Sequence, residues 1–82
     1  MNLYLISQNV NTGYDTYDSA VVCARSEEEA KHIHPSKHVE DWDAEIGEYG
    51  SWVIPEKVNV TLIGRATKDR QSGVICASFN AG

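Results

Sequence analysis

The sequence predicts an α+β domain, an antiparallel sheet of four or five strands with one short helix packed on it, in a single domain over residues 1–82. Three observations carry this. Val58 to Ala66 alternates with the two-residue period of a strand: Val58, Val60 and Leu62 face one way, Asn59, Thr61 and Ile63 the other. Short apolar runs at Leu3–Ile6, Ala20–Ala24 and Val74–Cys76 are bounded by turn-forming residues, as strands are. A helix start is written out once, where Ser26 stands three residues before Glu29 at the capping-box spacing.

In chain order, Asn2 to Gln8 reads as the first strand, with Leu3 and Leu5 on one face and Tyr4 and Ile6 on the other. Asn9 to Asp18 is a turn-rich connection in which Asn11 and Gly13 tolerate positive φ and Asp15 and Asp18 close Asx turns. Ala20 to Ala24 is too short for a helix and rich enough in valine for a strand. Glu27, Glu28 and Glu29 then place negative charge at the positive end of a helix dipole. Pro35 disfavours helical geometry at His34 and ends the helix there. About eight residues make a helix of about 12 Å, too short to stand alone, so it leans on the sheet through Ala30 and Ile33.

Residues 36–50 have no clean period and hold five acids and no base from Glu40 to Glu48, which reads as a surface excursion pinned by Trp42 and Ile46. Ser51 to Ile54 reads as a short third strand ended by Pro55. After the alternating strand, Lys68 to Gly73 reads as a polar hairpin loop leading into a last strand, Val74 to Asn80. The expected order is β-β-α-β-β-β, or the same without the short strand. The first, second and last strands are apolar on both faces, and a two-turn helix covers only part of one face. A homo-oligomer is therefore expected, with the acidic excursion as the other candidate cover.

Composition narrows the function classes. Twelve acidic against seven basic side chains disfavour direct nucleic-acid binding, which needs a basic face. Residues 1–56 hold eleven acids and three bases, whereas residues 57–82 hold four bases and one acid, an asymmetry that suits either a mixed surface or association. The apolar start is too short for a signal peptide and no run reaches transmembrane length, so the expected compartment is cytoplasmic. Cys23 and Cys76 are expected as buried thiols, with a cross-strand disulfide as the alternative.

Chemistry-bearing patterns are sparse. His32, His34 and His38 read H-x-H-x3-H, but residues two apart on a helix diverge by about 200°, so cationic rings near a helix C-terminus are the simpler account. No metal or cofactor is expected. No cysteine, serine or histidine spacing supplies a nucleophile with its base, and no glycine loop cradles phosphate, so an enzyme is not expected. The best recognition candidate is the run Tyr14, Asp15, Thr16, Tyr17, Asp18, with two rings and two carboxylates on a turn-rich loop. Its simpler role is core packing and turn closure. Trp52, with Trp42 and Tyr49, offers stacking surface or roofs the core. Arg65, Lys68 and Arg70 are grouped as phosphate or acidic-partner ligands or are solvated hairpin charges.

YDTYDSAVV, the SEEEA…IHP helix, the tail CASFNAG and the LYL-S-Q opening together resemble small accessory proteins encoded by tailed bacteriophages and prophages, over residues 3–35 and 74–82 but not 36–56. The resemblance implies a phage accessory protein working in the cytoplasm of a bacterial host, and it carries over no activity or site residues. The first expectation is a non-enzymatic counter-defence protein that binds a host protein through its open sheet face, the Tyr14–Asp18 loop or the acidic excursion. The second is an oligomeric binder that sequesters a signalling nucleotide, with Arg65, Lys68 or Arg70 on phosphates and Tyr14, Tyr17 or Trp52 on bases. A metal- or thiol-dependent enzyme is a distant third.

Overall fold

The computed structural model describes residues 1–36, 51–67 and 71–80. Among them run β1 (Asn2–Ser7), β2 (Thr16–Ala24), helix α1 (Glu27–Lys31), a single 3-10 turn at Pro55–Lys57, β3 (Asn59–Arg65) and β4 (Gly73–Asn80). The strands form one antiparallel sheet in the order β3-β1-β2-β4. The α+β class holds, with four strands. β1 and β2, apolar on both faces, occupy the centre, where both faces are flanked by other strands' side chains.

The core lies on the helix side. Tyr4 and Ile6 from β1 stand opposite Val22 and Ala20 from β2, and α1 closes over them with Ala30. Trp52, Val53 and Val58 complete the cluster, with Ile33, Val60, Val74 and Tyr17 at its margin. Ser26 caps α1 as expected, its hydroxyl accepting from the Glu29 amide at 3.2 Å. The returning arm goes one residue further, because the Glu29 carboxylate accepts from the Arg25 amide at 3.4 Å rather than from Ser26. The Glu29 carboxylate also accepts from the Ser72 hydroxyl, tying the first turn of α1 to the start of β4.

Four expectations are corrected. The last two strands are no hairpin: β3 and β4 lie on opposite edges of the sheet. Three strand spacings are about 14 Å, within reach of the seven residues 66–72 at about 3.3 Å each, and the Ala66 amide is held by the Met1 carbonyl at 3.0 Å. Ser51 to Ile54 is not a strand; it makes one backbone bond to the sheet, Tyr17 N to Ser51 O at 2.8 Å, and puts Trp52 and Val53 into the core while Ile54 stays exposed. β2 starts at Thr16, so the second half of the expected loop is sheet. Cys76 is exposed and Cys23 buried, both as free thiols.

Each strand pair outside β1–β2 carries an extra residue. Ile63 is the odd one in β3, Ile75 in β4 and Asp18 in β2, as the partners on either side of each skip one position. Bulges bend a strand and re-aim side chains. The one at Asp18 turns Tyr17 onto the helix side, where its ring meets Phe79 at 4.7 Å and His34 at 6.2 Å between centroids, both edge-on.

Candidate functional site

The expected recognition segment is positioned by a residue that sequence reasoning passed over. Gln8 follows the last residue of β1, is buried, and spends its whole amide on the loop that follows. Its Oε1 accepts from the Val10 amide at 2.8 Å and the Asn11 amide at 2.7 Å. Its Nε2 donates to the Asn11 carbonyl at 2.7 Å and the Tyr17 carbonyl at 2.8 Å. A glutamine amide offers two donors and two acceptor sites, and all four are used. The signal was in the parity: position 8 continues the core-facing series Tyr4, Ile6, and a polar residue at a core position asks for partners.

The far side of the loop is held by the end of β4. Asp15 N donates to the Asn80 carbonyl at 2.6 Å, and Asn80 Nδ2 donates to the Gly13 carbonyl at 3.0 Å. Thr16, also buried, donates its hydroxyl to Gly13 O at 2.6 Å. The positive φ falls on Asp15, at 61°, and not on Asn11 or Gly13 as expected. Aspartate is among the few side chains that tolerate this region. The carboxylates of Asp15 and Asp18 close no Asx turn and make no hydrogen bond to the described residues.

What this frame displays is apolar. Tyr14 is 77% exposed and Val10 60%, on a loop whose backbone is bonded at both ends, and Phe79 is 46% exposed on the adjoining strand. Asp15 and Asp18, both exposed, add free acceptors beside them. The site is a rigid aromatic and acidic corner.

The other expected site residues are dispersed. Tyr17 is half-buried against the core, consistent with its simpler role. Trp52 is fully buried, so its ring offers no stacking surface and the roofing role is the one it fills. Its Nε1 has no hydrogen-bond partner among the described residues. Arg65 is exposed at the end of β3 opposite Asn2, whereas Tyr17 lies beyond Ser7 at the other end of the sheet. Five residues at about 3.4 Å separate those ends by roughly 17 Å at the least. Arg65 and Tyr17 therefore do not converge within one chain. Lys68 and Arg70 lie outside the described residues, as do His38, Trp42, Ile46, Tyr49 and the acids from Glu40 to Glu48.

Two further features lie away from the corner. Between α1 and the start of β4 a cleft of about 660 Å³ is lined by Arg25, Glu29, His32, Ile33, Ser72 and Val74, among others. On the open face, Leu5, Val21 and Cys76 border a shallow depression across β1, β2 and β4. The two described histidines, His32 and His34, make separate contacts. His34 is buried, its Nδ1 accepting from the Ser36 amide at 3.0 Å. His32 Nδ1 donates to the Glu28 carbonyl at 2.8 Å, capping the last turn of α1. Among the described residues no three metal-ligating side chains come together, and no helix is long and apolar enough to cross a membrane. Comparison with protein-family models, with curated proteins and with solved structures returns no match.

Proposed function

We infer that this chain is a non-enzymatic binding protein whose partner is another protein, engaged through the corner formed by Val10 and Tyr14 with Asp15 and Asp18 at its rim. One observation supports this above the rest: a buried glutamine spends every hydrogen bond it has on holding a loop whose largest side chain is 77% exposed. A loop fixed before binding loses little entropy when it docks, and tyrosine gives large rigid contact area at two rotatable bonds. Free carboxylates beside the ring favour a partner with basic residues around an apolar pocket. The resemblance to phage accessory proteins makes a host protein the partner of choice, with interference in a host defence as the outcome.

The test is a capture from bacterial lysate on the immobilised protein, run in parallel with Tyr14→Ala and Arg65→Ala. A host protein retained by the native chain and by Arg65→Ala, and lost with Tyr14→Ala while the circular dichroism is unchanged, supports the reading. Retention indifferent to Tyr14 contradicts it. A thermal shift of several degrees on adding a nucleotide, abolished by Arg65→Ala, would move the assignment to small-molecule sequestration.

A further inference from the structure

β4 is an edge strand of eight residues, Gly73 to Asn80, without a charge or a proline, in a chain of net charge −5. Edge strands of monomers are guarded by charge, proline, bulges or cover, because their outer row of N–H and C=O groups templates another strand, and of these β4 has only the bulge at Ile75. Here Cys76, Ala77, Ser78 and Phe79 are all exposed. Beside the first residues of this strand lies the cleft floored by Ile33 and Val74. Near its last residues stands Phe79, on the helix side of the sheet with Tyr17. An apolar knob and an apolar hole occupy the two ends of one strand.

We propose that a second copy of this chain pairs with the first along β4, about a two-fold axis normal to the sheet at Ala77, and that Phe79 of each copy fills the cleft of the other. The geometry follows from the pleat. Under such an axis a residue stands opposite itself, and opposed residues share a face. Val74 and Ile75 together occupy one place in the ladder with β2, since Val74 pairs Val22 and Cys76 pairs Val21. Gly73 to Asn80 thus fills seven places, and the central one is Ala77. Cys76 then opposes Ser78, Asn80 opposes Gly73, and Phe79 falls opposite Val74 at the mouth of the cleft. Val74 faces the helix side with Val22, as Phe79 does with Tyr17, so knob and hole share a face. Gly73 also lines the cleft and puts no side chain into it.

Self-pairing of an acidic chain is opposed wherever it sets acid against acid, and of the two edge strands β4 is the one without a charged residue, since β3 carries Arg65; the matched knob and hole then select a second copy over a foreign strand. Phe79 is 46% exposed, so on entering a pocket each ring withdraws about half of the roughly 150–250 Å² that a buried aromatic hides. The cleft is half a site in one chain and complete in two. This inference stands on β4 and the cleft, independently of the partner protein engaged by Tyr14.

Analytical ultracentrifugation at micromolar concentration, combined with cross-linking, tests it. The native chain should sediment at twice its monomer mass. Ala77→Lys, which sets two lysines against each other at an exposed position, and Phe79→Ala should each weaken the dimer at least tenfold with the circular dichroism unchanged. Ala77→Cys in a Cys76→Ser background should give a disulfide-linked dimer on mild oxidation, because opposed Cα atoms of an antiparallel pair lie about 4.5–5.5 Å apart, within disulfide range. A monomer at 100 µM overturns the proposal. A dimer untouched by Ala77→Lys, or one that Ala77→Cys does not cross-link, places the interface elsewhere and overturns it equally.

Discussion

At the residue scale the molecule turns on Gln8. Its amide replaces water for two backbone amides and two carbonyls in a loop that has no ladder of its own. Gln8→Glu keeps the acceptors and removes both donors, so a carboxylate faces the Asn11 and Tyr17 carbonyls. We expect a loss of about 1–3 kcal/mol in denaturant unfolding, and faster exchange of the Val10 and Asn11 amides. Tyr14→Ala is the opposite case: an exposed side chain, so stability should stay within about 0.5 kcal/mol of native while partner capture is lost. The two thiols divide the same way. In the folded protein a thiol reagent such as DTNB should titrate Cys76 and reach Cys23 only after denaturant is added, since Cys76 is exposed and Cys23 fully buried 3.4 Å from the Met1 sulfur. The sequence placed both cysteines in apolar strands and could not separate them, because exposure in β4 depends on what lies beyond the edge.

At the element scale, what was legible is what short-range chemistry decides. The Ser26 cap, the glutamates behind it and the position of Ala30 were readable because they concern residues three or four apart. Ser26→Ala should cost about 1 kcal/mol, seen as a fall in Tm of roughly 4–8 °C for a domain this size. The hairpin expectation failed for the complementary reason. A polar stretch with a glycine joins two strands equally well across one spacing or three, and only the competition for β1 and β2 as partners decides. Trp52 shows the same limit: a strand-like run of four residues becomes a core plug once the tryptophan is inside. Trp52→Ala should cost about 3–5 kcal/mol. The segment Tyr14–Asp18 was expected to be a loop, yet its boundary was misplaced, because the bulge at Asp18 hides the start of β2 from an alternation pattern.

At the scale of the whole molecule, the open face and the unguarded edge are consequences of size. With one short helix over one face, the described residues of this chain leave Leu5 and Val21 half-buried and β4 unpaired. Pairing through β4 gives one explanation for both the neutral strand and the vacant cleft. It also fixes the two recognition corners, since Asn80, which clamps each loop, lies at opposite ends of the paired strands. Seven ladder places at about 3.4 Å set those corners roughly 20 Å apart, close enough for one partner surface to meet both and for avidity to add to a modest single-site affinity.

The claim on which the rest depends is that the Tyr14 corner is built before any partner arrives. Residue-resolved amide hydrogen exchange on the isolated protein tests this most directly. The account predicts that the amides of Val10, Asn11 and Asp15, bonded to Gln8 and Asn80, exchange as slowly as those of β1 and β2, and that Gln8→Glu releases the first two. Exchange of all three at the rate of an unstructured chain in the native protein would contradict it.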